Sequence, residues 1–245
     1  MKDNFSKQSE TYAKFRPTYP SGFIDQITSL VSEKNIAWDC GTGNGQVAKI
    51  LSKQFKQVIA TDISSNQLSH APNIQNIEYR KEPAESTSIE NTTVDLITVA
   101  QAIHWFNFDA FFEEVNRVLR ADGVIAIFGY PLLETRTKID TILSHFYSGT
   151  LKDFWDSERR FIEDEYSTIP FPFKQIEFNE TYMKYDWTFD QMIGYLRSWS
   201  AVQHYITKFQ SDPVELIQDE LMSCWPGTKT ISVSMKIINK IGRKN

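Results

Sequence analysis

The chain has 245 residues, 26 basic and 31 acidic, for a net charge of −5, with 41% hydrophobic and 23% charged side chains. That length suits one large domain, the apolar content argues against disorder, and the acidic balance argues against nucleic acid as the main partner. Two cysteines, Cys40 and Cys224, exclude a disulfide scaffold and leave no Cys-x-x-Cys pair, while His70, His145 and His204 lack metal-ligand spacing, so no metal is expected. The opening residues lack the apolar core of a leader peptide, and no run approaches the roughly 18 apolar residues of a membrane span. The expectation is a soluble cytoplasmic protein without a membrane partner, in which the Asn-x-Ser/Thr matches at Asn4, Asn91 and Asn179 are chance.

In chain order, a polar and aromatic opening runs to Pro20, where Arg16-Pro17-Thr18-Tyr19-Pro20 breaks helix. Ser21 is placed to cap a helix with apolar face Phe23, Ile24, Ile27, Leu30 and Val31. Ile36-Ala37-Trp38 reads as a buried strand ending at Asp39, and Val47, Ala48 and Leu51 as the inner face of the next helix. Val58-Ile59-Ala60 predicts a second strand ending at Thr61-Asp62, residues 64–69 a short helix, and Ile77-Glu78-Tyr79 a third strand. Residues 94–99 form an apolar fourth strand with Asp95 at its start. A helix follows, capped by Asn107, with Phe108, Phe111, Phe112, Val115, Val118 and Leu119 in one stripe, Arg117 and Arg120 late, and Gly123 as its stop. Residues 124–128 are a fifth strand.

Strands alternating with helices predict parallel strands joined by right-handed crossovers, and continuously apolar strands predict burial on both faces. The result is a doubly wound α/β sheet, at least to Tyr130. Beyond it, residues 132–165 read as helical, charged and aromatic, residues 175–187 as strand, and Thr188 with Gln191 as a capping box. Asp212-Pro213 starts a helix reaching Leu221, and residues 231–238 are a last strand. The expected organisation is a single domain over residues 1–245, with a cap segment at 1–20 and an inserted helical and strand region at 131–225 that forms a lid.

The turn Asp39-Cys40-Gly41-Thr42-Gly43-Asn44-Gly45 stands at the carboxyl end of the first strand, the edge where open α/β sheets bind ligands. Glycines let backbone approach a ligand, and Asp62 at the next strand end can accept from ribose hydroxyls. A dinucleotide fingerprint needs glycine at position 46, which is Gln46, and no Walker lysine is present. Asp39 would repel a pyrophosphate but suits a cationic amino group. The charge pattern favours S-adenosylmethionine, which carries an ammonium, a sulfonium and no phosphate.

The sequence here resembles the class I S-adenosylmethionine-dependent methyltransferases, and within them the trans-aconitate methyltransferase-like small-molecule branch. The residues that carry this are 12–20, Asp39 to Gly45, Asp62, Pro83-Ala84-Glu85, residues 100–106 with His104 and Trp105, residues 114–120, and Trp199-Ser200-Ala201. The resemblance implies a Rossmann-like sheet of seven strands, mostly parallel, with the last antiparallel. It implies S-adenosylmethionine as cofactor, with Gly41 and Gly43 beside the methionine moiety and Asp39, Cys40 and Gly45 in the same turn. Asp62 would hold the ribose, Ile63 and Gln67 would lie along the adenosine, Ala84 and Glu85 near the adenine, and Ala100 near the amino-acid end. Pro83 stands where many relatives have a polar residue, so no side-chain contact to the adenine amino group is expected from it.

Methyl transfer from a sulfonium expels a neutral leaving group, so orientation carries most of the catalysis. A base is required only where the acceptor must lose a proton; a carboxylate acceptor needs none. The catalytic residue is unknown, with His104 the one candidate, as base or as acceptor ligand. Tyr12, Arg16, Tyr19, His104 and Trp105 are the candidates for substrate contact, and the late aromatic residues for a lid. The activity expected is methyl transfer to a small organic acceptor, a carboxylate among the options. The alternatives are an NAD-type oxidoreductase, a non-catalytic adenosyl-binding protein, or methylation of nucleic acid, which the acidic balance disfavours.

Overall fold

A computed structural model describes residues 15–227 and 229–244; the candidate Tyr12 lies outside the described residues. The apolar runs become neighbouring strands because each has two faces to bury. β1 (Ile36–Cys40), β2 (Gln57–Asp62), β3 (Ile77–Lys81), β4 (Val94–Ala100) and β5 (Leu119–Gly129) are all parallel, in the order β3-β2-β1-β4-β5. Alternation along the strands divides the core in two. Ala37, Val58, Leu96 and Val124 join one layer with Ile24, Ile27 and Leu51, whereas Trp38, Ile59, Ile97 and Ile125 join the other with Phe111, Val115 and Val118. The helices α1 (Ser21–Thr28), α2 (Gln46–Leu51) and α4 (Phe108–Val118) supply the covering residues, and the short α3 (Ser65–Ser69) follows β2.

Local signals hold with three shifts. α1 has Pro20, not Ser21, at its N-cap, and no side chain caps it. α4 is capped as expected, Asn107 Oδ1 accepting from Ala110 N at 3.2 Å. It ends at Val118, however, because Leu119 already pairs with Val94 at the start of β5. Arg120 is therefore a strand residue, and its Nη1 donates to Asp95 Oδ1 at 2.8 Å instead of serving the helix dipole. The buried Asp95 carboxylate also accepts from Asn35 N and Ile36 N at 2.8 and 2.9 Å, tying β1 to β4 at the edge opposite the glycine turn.

The second half completes the sheet. β8 (Ile231–Arg243) runs five residues past the expected Ile238 and is antiparallel to β5. Its first part pairs with β7 (Thr181–Trp187) and its end with β6 (Lys174–Gln175). The seven strands implied above are thus eight strand segments among the described residues. Between these two segments residues 176–180 belong to no strand, and Ile176 N donates to Ile241 O at 2.8 Å. Above the sheet lie α5 (Ile139–His145), a π-helical turn at Phe146–Thr150, the short α6 (Arg160–Glu163), α7 (Phe189–Arg197), α8 (Ser200–Phe209) and α9 (Glu215–Cys224). The Thr188–Gln191 capping box forms in full at the start of α7. Among the described residues, no helix is long and apolar enough to cross a membrane, and no cluster of His, Cys, Asp and Glu is placed to hold a metal ion.

Candidate functional site

The order β3-β2-β1-β4-β5 reverses between β1 and β4, and the glycine turn stands at that switch point. Gly41 and Gly43 have φ of 68° and 57°, in the left-handed region that side chains disfavour. Their surroundings differ. A Cβ on Gly41 would lie 2.6 Å from Ala102 Cβ, whereas one on Gly43 would meet only Gln67 Oε1, at 3.9 Å. Among the described residues, Gly43 therefore borders open space, and the buried Gln67 Oε1 beside it has no hydrogen-bond partner. An unsatisfied buried acceptor at an open backbone position leaves room for a hydrogen-bond donor from outside the chain.

Asp39 is buried yet well held. Its Oδ2 accepts from Thr42 Oγ1 at 2.5 Å and from Ala48 N at 3.0 Å, and its Oδ1 accepts from Thr98 Oγ1 at 2.8 Å. The Ala48 contact satisfies an orphan N–H in the first turn of α2, which no residue caps from the N-cap position. A carboxylate has about four acceptor sites, so one remains, on Oδ1. Burial pushes the Asp39 carboxyl up to about 6; the three donors pull it down, and the neighbouring Asp62 charge adds to the rise. Asp62 accepts from Gly43 N at 2.8 Å and from Ser64 N at 2.9 Å, binding the glycine turn to the turn after β2. Both carboxylates thus serve one turn on the same side of the sheet.

A first hollow is lined by Arg16, Tyr19, Asp39, Gly41, Gly43 and Ala100, with Gln46, Gln101 and Tyr130 among its other walls. A second adjoins it, lined by His104, Trp105, Trp155, Asp156, Arg159 and Trp199, and shares Arg16 and Gln101 with the first. Gln101 has φ 55°, and its side-chain amide donates to Tyr130 O at 3.1 Å and accepts from Tyr130 N at 2.8 Å. This two-point clamp fixes the partition between the hollows. Arg16, the other part of the partition, donates from Nη2 to Ser198 O at 3.0 Å and from Nη1 to Tyr130 Oη at 3.4 Å. Tyr19 is packed edge-on against Phe128 at 4.7 Å as well as lining the first hollow.

His104 is buried in the wall of the second hollow, its Nδ1 has no partner among the described residues, and its ring centroid lies 4.8 Å from that of Trp105. Burial, then the nearby Arg159 and Arg16 charges, lower its pKa to about 3, so the imidazole is neutral at physiological pH. A group this hard to protonate is a weak general base and a good hydrogen-bond partner.

Other expected residues fall around this centre. Ile63 and Gln67 follow β2 in the chain, and Gln67 Oε1 lies beside Gly43. Gly45 sits under the Tyr79 hydroxyl, 2.6 Å from where its Cβ would be. The Cys40 and Ala84 side chains are buried in the second core layer, and burial keeps the Cys40 thiol protonated. Glu85 accepts from Asn107 N at 3.0 Å through Oε1. Sequence reasoning missed Thr98 and Thr42, which orient Asp39, and Arg159, which lines the second hollow; Gln101 and Trp155 it named only within the stretch after β4 and the late aromatic set.

A glycine turn at the switch point of a doubly wound sheet, with carboxylates ending two adjacent strands, is the architecture of the class I methyltransferase fold. Comparison with known proteins agrees. A family described as "Methyltransferase domain" matches residues 38–127. A Dictyostelium discoideum protein provisionally named a methyltransferase is 34% identical over 250 residues, spanning 99% of this chain and 95% of that one. A Saccharomyces cerevisiae protein provisionally named an S-adenosylmethionine-dependent methyltransferase is 30% identical over 161 residues, 62% of this chain and 55% of that one. A solved structure from Anaeromyxobacter dehalogenans, provisionally titled a type II methyltransferase, superposes with TM-score 0.85 at 33% identity, covering 94% of this chain and 98% of that one. The chain belongs to the class I S-adenosylmethionine-dependent methyltransferases.

Proposed function

We propose that this enzyme methylates a small organic carboxylic acid enclosed in the second hollow. The observation that carries the reading is the shared partition. A crevice at the glycine turn shares Arg16 and Gln101 with a neighbouring aromatic hollow lined by two guanidinium groups. The acid class is also what the resemblance to trans-aconitate methyltransferase-like enzymes implies. A concave aromatic site beside that crevice suits a small molecule rather than a nucleic acid or a membrane.

The residues of the first hollow fit S-adenosylmethionine. The open side of Gly43 with the unsatisfied Gln67 Oε1 accommodates it, and the remaining Oδ1 site of Asp39 suits its ammonium. Asp62 is assigned to the ribose, Ile63 and Gln67 to the adenosine, Ala84 and Glu85 to the adenine side, and Gly41, Gly43 and Ala100 to the amino-acid end. When bound, the cofactor supplies an electrophilic methyl carbon on a good leaving group. Gln101 and Arg16 hold the boundary between donor and acceptor, which sets their mutual orientation. The aromatic walls exclude water, and neutral His104 offers a hydrogen bond without competing for a proton. An ionised carboxylate needs no base, in keeping with a site whose one histidine is a poor one. Segment 15–20 and the helices of region 131–225 serve as cap and lid over the two hollows.

Calorimetric titration with S-adenosylhomocysteine, followed by a labelled-methyl screen of small organic acids, tests the reading. Binding with transfer to an acid supports it. Transfer only to amines, thiols or nucleic acid overturns the acid assignment.

A further inference from the structure

Two arginines line the second hollow, and their surroundings separate their roles. Arg16 is spent on structure: its Nη groups donate to Tyr130 Oη and Ser198 O, and its guanidinium lies 5.8 Å from the centroid of the Tyr195 ring. Arg159 is mounted differently. Its guanidinium carbon stands 4.9 Å over the Trp155 ring and 5.5 Å from the Tyr147 ring. Its Nε donates to Tyr147 Oη at 3.0 Å, and that hydroxyl in turn donates to Glu163. Trp155 Nε1 donates to Tyr147 O at 3.0 Å, fixing the platform itself. Neither Nη of Arg159 forms a hydrogen bond or ion pair with any described residue, so the end of the fork is left for a ligand at the wall of the hollow.

Resting on the reading of the second hollow as the acceptor site, we propose that Arg159, rather than Arg16, is the residue that binds the acceptor's carboxylate. A planar guanidinium with Nε committed and both Nη groups available presents two parallel N–H donors end-on, which match the two oxygens of one carboxylate. Stacking on Trp155 and Tyr147 holds the fork without consuming these donors. The charge of the chamber specifies a monoanion: Arg16 and Arg159 are cationic, Asp156 is anionic and His104 is neutral, leaving one net positive charge. A phosphate dianion would be under-compensated there. Nothing in the local sequence around Arg159 announces this role, which depends on Tyr147 twelve residues earlier in a π-helical turn.

The test uses paired probes of equal shape, benzoate with benzamide and sorbate with sorbamide, plus phenyl phosphate. Each is titrated calorimetrically into protein saturated with S-adenosylhomocysteine. For wild type, at least one acid is expected to bind tenfold or more tightly than its amide and more tightly than phenyl phosphate. In Arg159→Gln the acid preference should fall to threefold or less while amide and S-adenosylhomocysteine affinities stay within threefold, which also shows that the variant is folded. Arg159→Lys, with the charge but no fork, should retain only part of the preference. An acid preference that survives Arg159→Gln overturns the proposal, as does a wild-type protein that prefers no acid over its amide. Tighter binding of phenyl phosphate overturns the monoanion assignment. Failure of wild type to bind S-adenosylhomocysteine at all is a separate result, which removes the two-hollow reading and this anchor with it.

Discussion

Gly41 and Gly43 are two residues apart with nearly the same φ, yet replacing each by alanine should have opposite consequences. Both pay the left-handed penalty for a side chain, about 1–2 kcal/mol. For Gly43 that is the whole effect on the free protein, since the added methyl would touch only Gln67 Oε1 at an ordinary 3.9 Å. For Gly41 the methyl would stand 2.6 Å from Ala102 Cβ and 3.3 Å from the Phe106 ring. A Cβ cannot rotate away, so overpacking adds about 1–3 kcal/mol. In a protein of this size each kcal/mol lowers Tm by about 2–4 °C. Thermal melts should therefore place Gly41→Ala below Gly43→Ala by several degrees. With S-adenosylhomocysteine present the order of damage reverses in kind: Gly43→Ala is folded but its methyl occupies the approach to the ligand, and its affinity should drop at least tenfold. A Gly43→Ala variant that binds S-adenosylhomocysteine as wild type does would refute the placement of the cofactor at this turn.

Asp39 gives a pH signature. Its folded value of about 6 lies above the ordinary 3.8, so the free protein takes up a proton here as pH falls through 6, and ionised Asp39 contributes instability, not stability, above that value. A cationic ligand favours the ionised form, so affinity for S-adenosylmethionine should weaken between pH 7 and 5, and binding at pH 5.5 should release a proton. Calorimetry in two buffers of different ionisation enthalpy measures this; identical heats would contradict it. His104→Gln should lower kcat less than tenfold and leave no missing inflection between pH 5 and 8, whereas a loss of the 10²–10⁴ typical of a general base would make His104 catalytic. Arg120→Met removes the cation facing buried Asp95 at the far edge of the sheet and should cost about 1.5–3 kcal/mol in denaturant unfolding with methyl transfer unaffected; reduced transfer at full folding would link that edge to the site.

The cofactor half of the site was legible because it is local. Asp39, the glycines and Asp62 sit at strand ends, and a strand–turn–helix pattern places them without knowledge of the remaining chain. Thr98 was hidden in an apolar strand, where its hydroxyl looks like a tolerated β-branched residue until it is seen to donate to Asp39. Of the second hollow, Arg16, His104 and Trp105 were named from the sequence and do line it, but Arg159 was not legible. Residues 146–163 fold as π, 3₁₀ and single-turn helix, so they carry no period to read, and Arg159 gains meaning only from rings brought beneath it by the fold. The end of β8 was missed for a different reason. Gly242 gives no strand signal, yet its bare Cα is what lets Phe171 and Phe173 lie against the strand, 2.6 and 2.9 Å from where a Cβ would be. The shortened α4 shows tertiary pairing overriding a favourable helix end, since Leu119 gains more from β5 than from another half turn.

Arg16 meets partners 114 and 182 positions further along the chain. The division between the two chambers therefore cannot exist on a ribosome-bound or clipped fragment, even one whose first five strands are complete. Such a fragment could present its glycine turn but would lack the contact from Arg16 to Ser198, so on the proposed reading methyl transfer would wait for the finished chain.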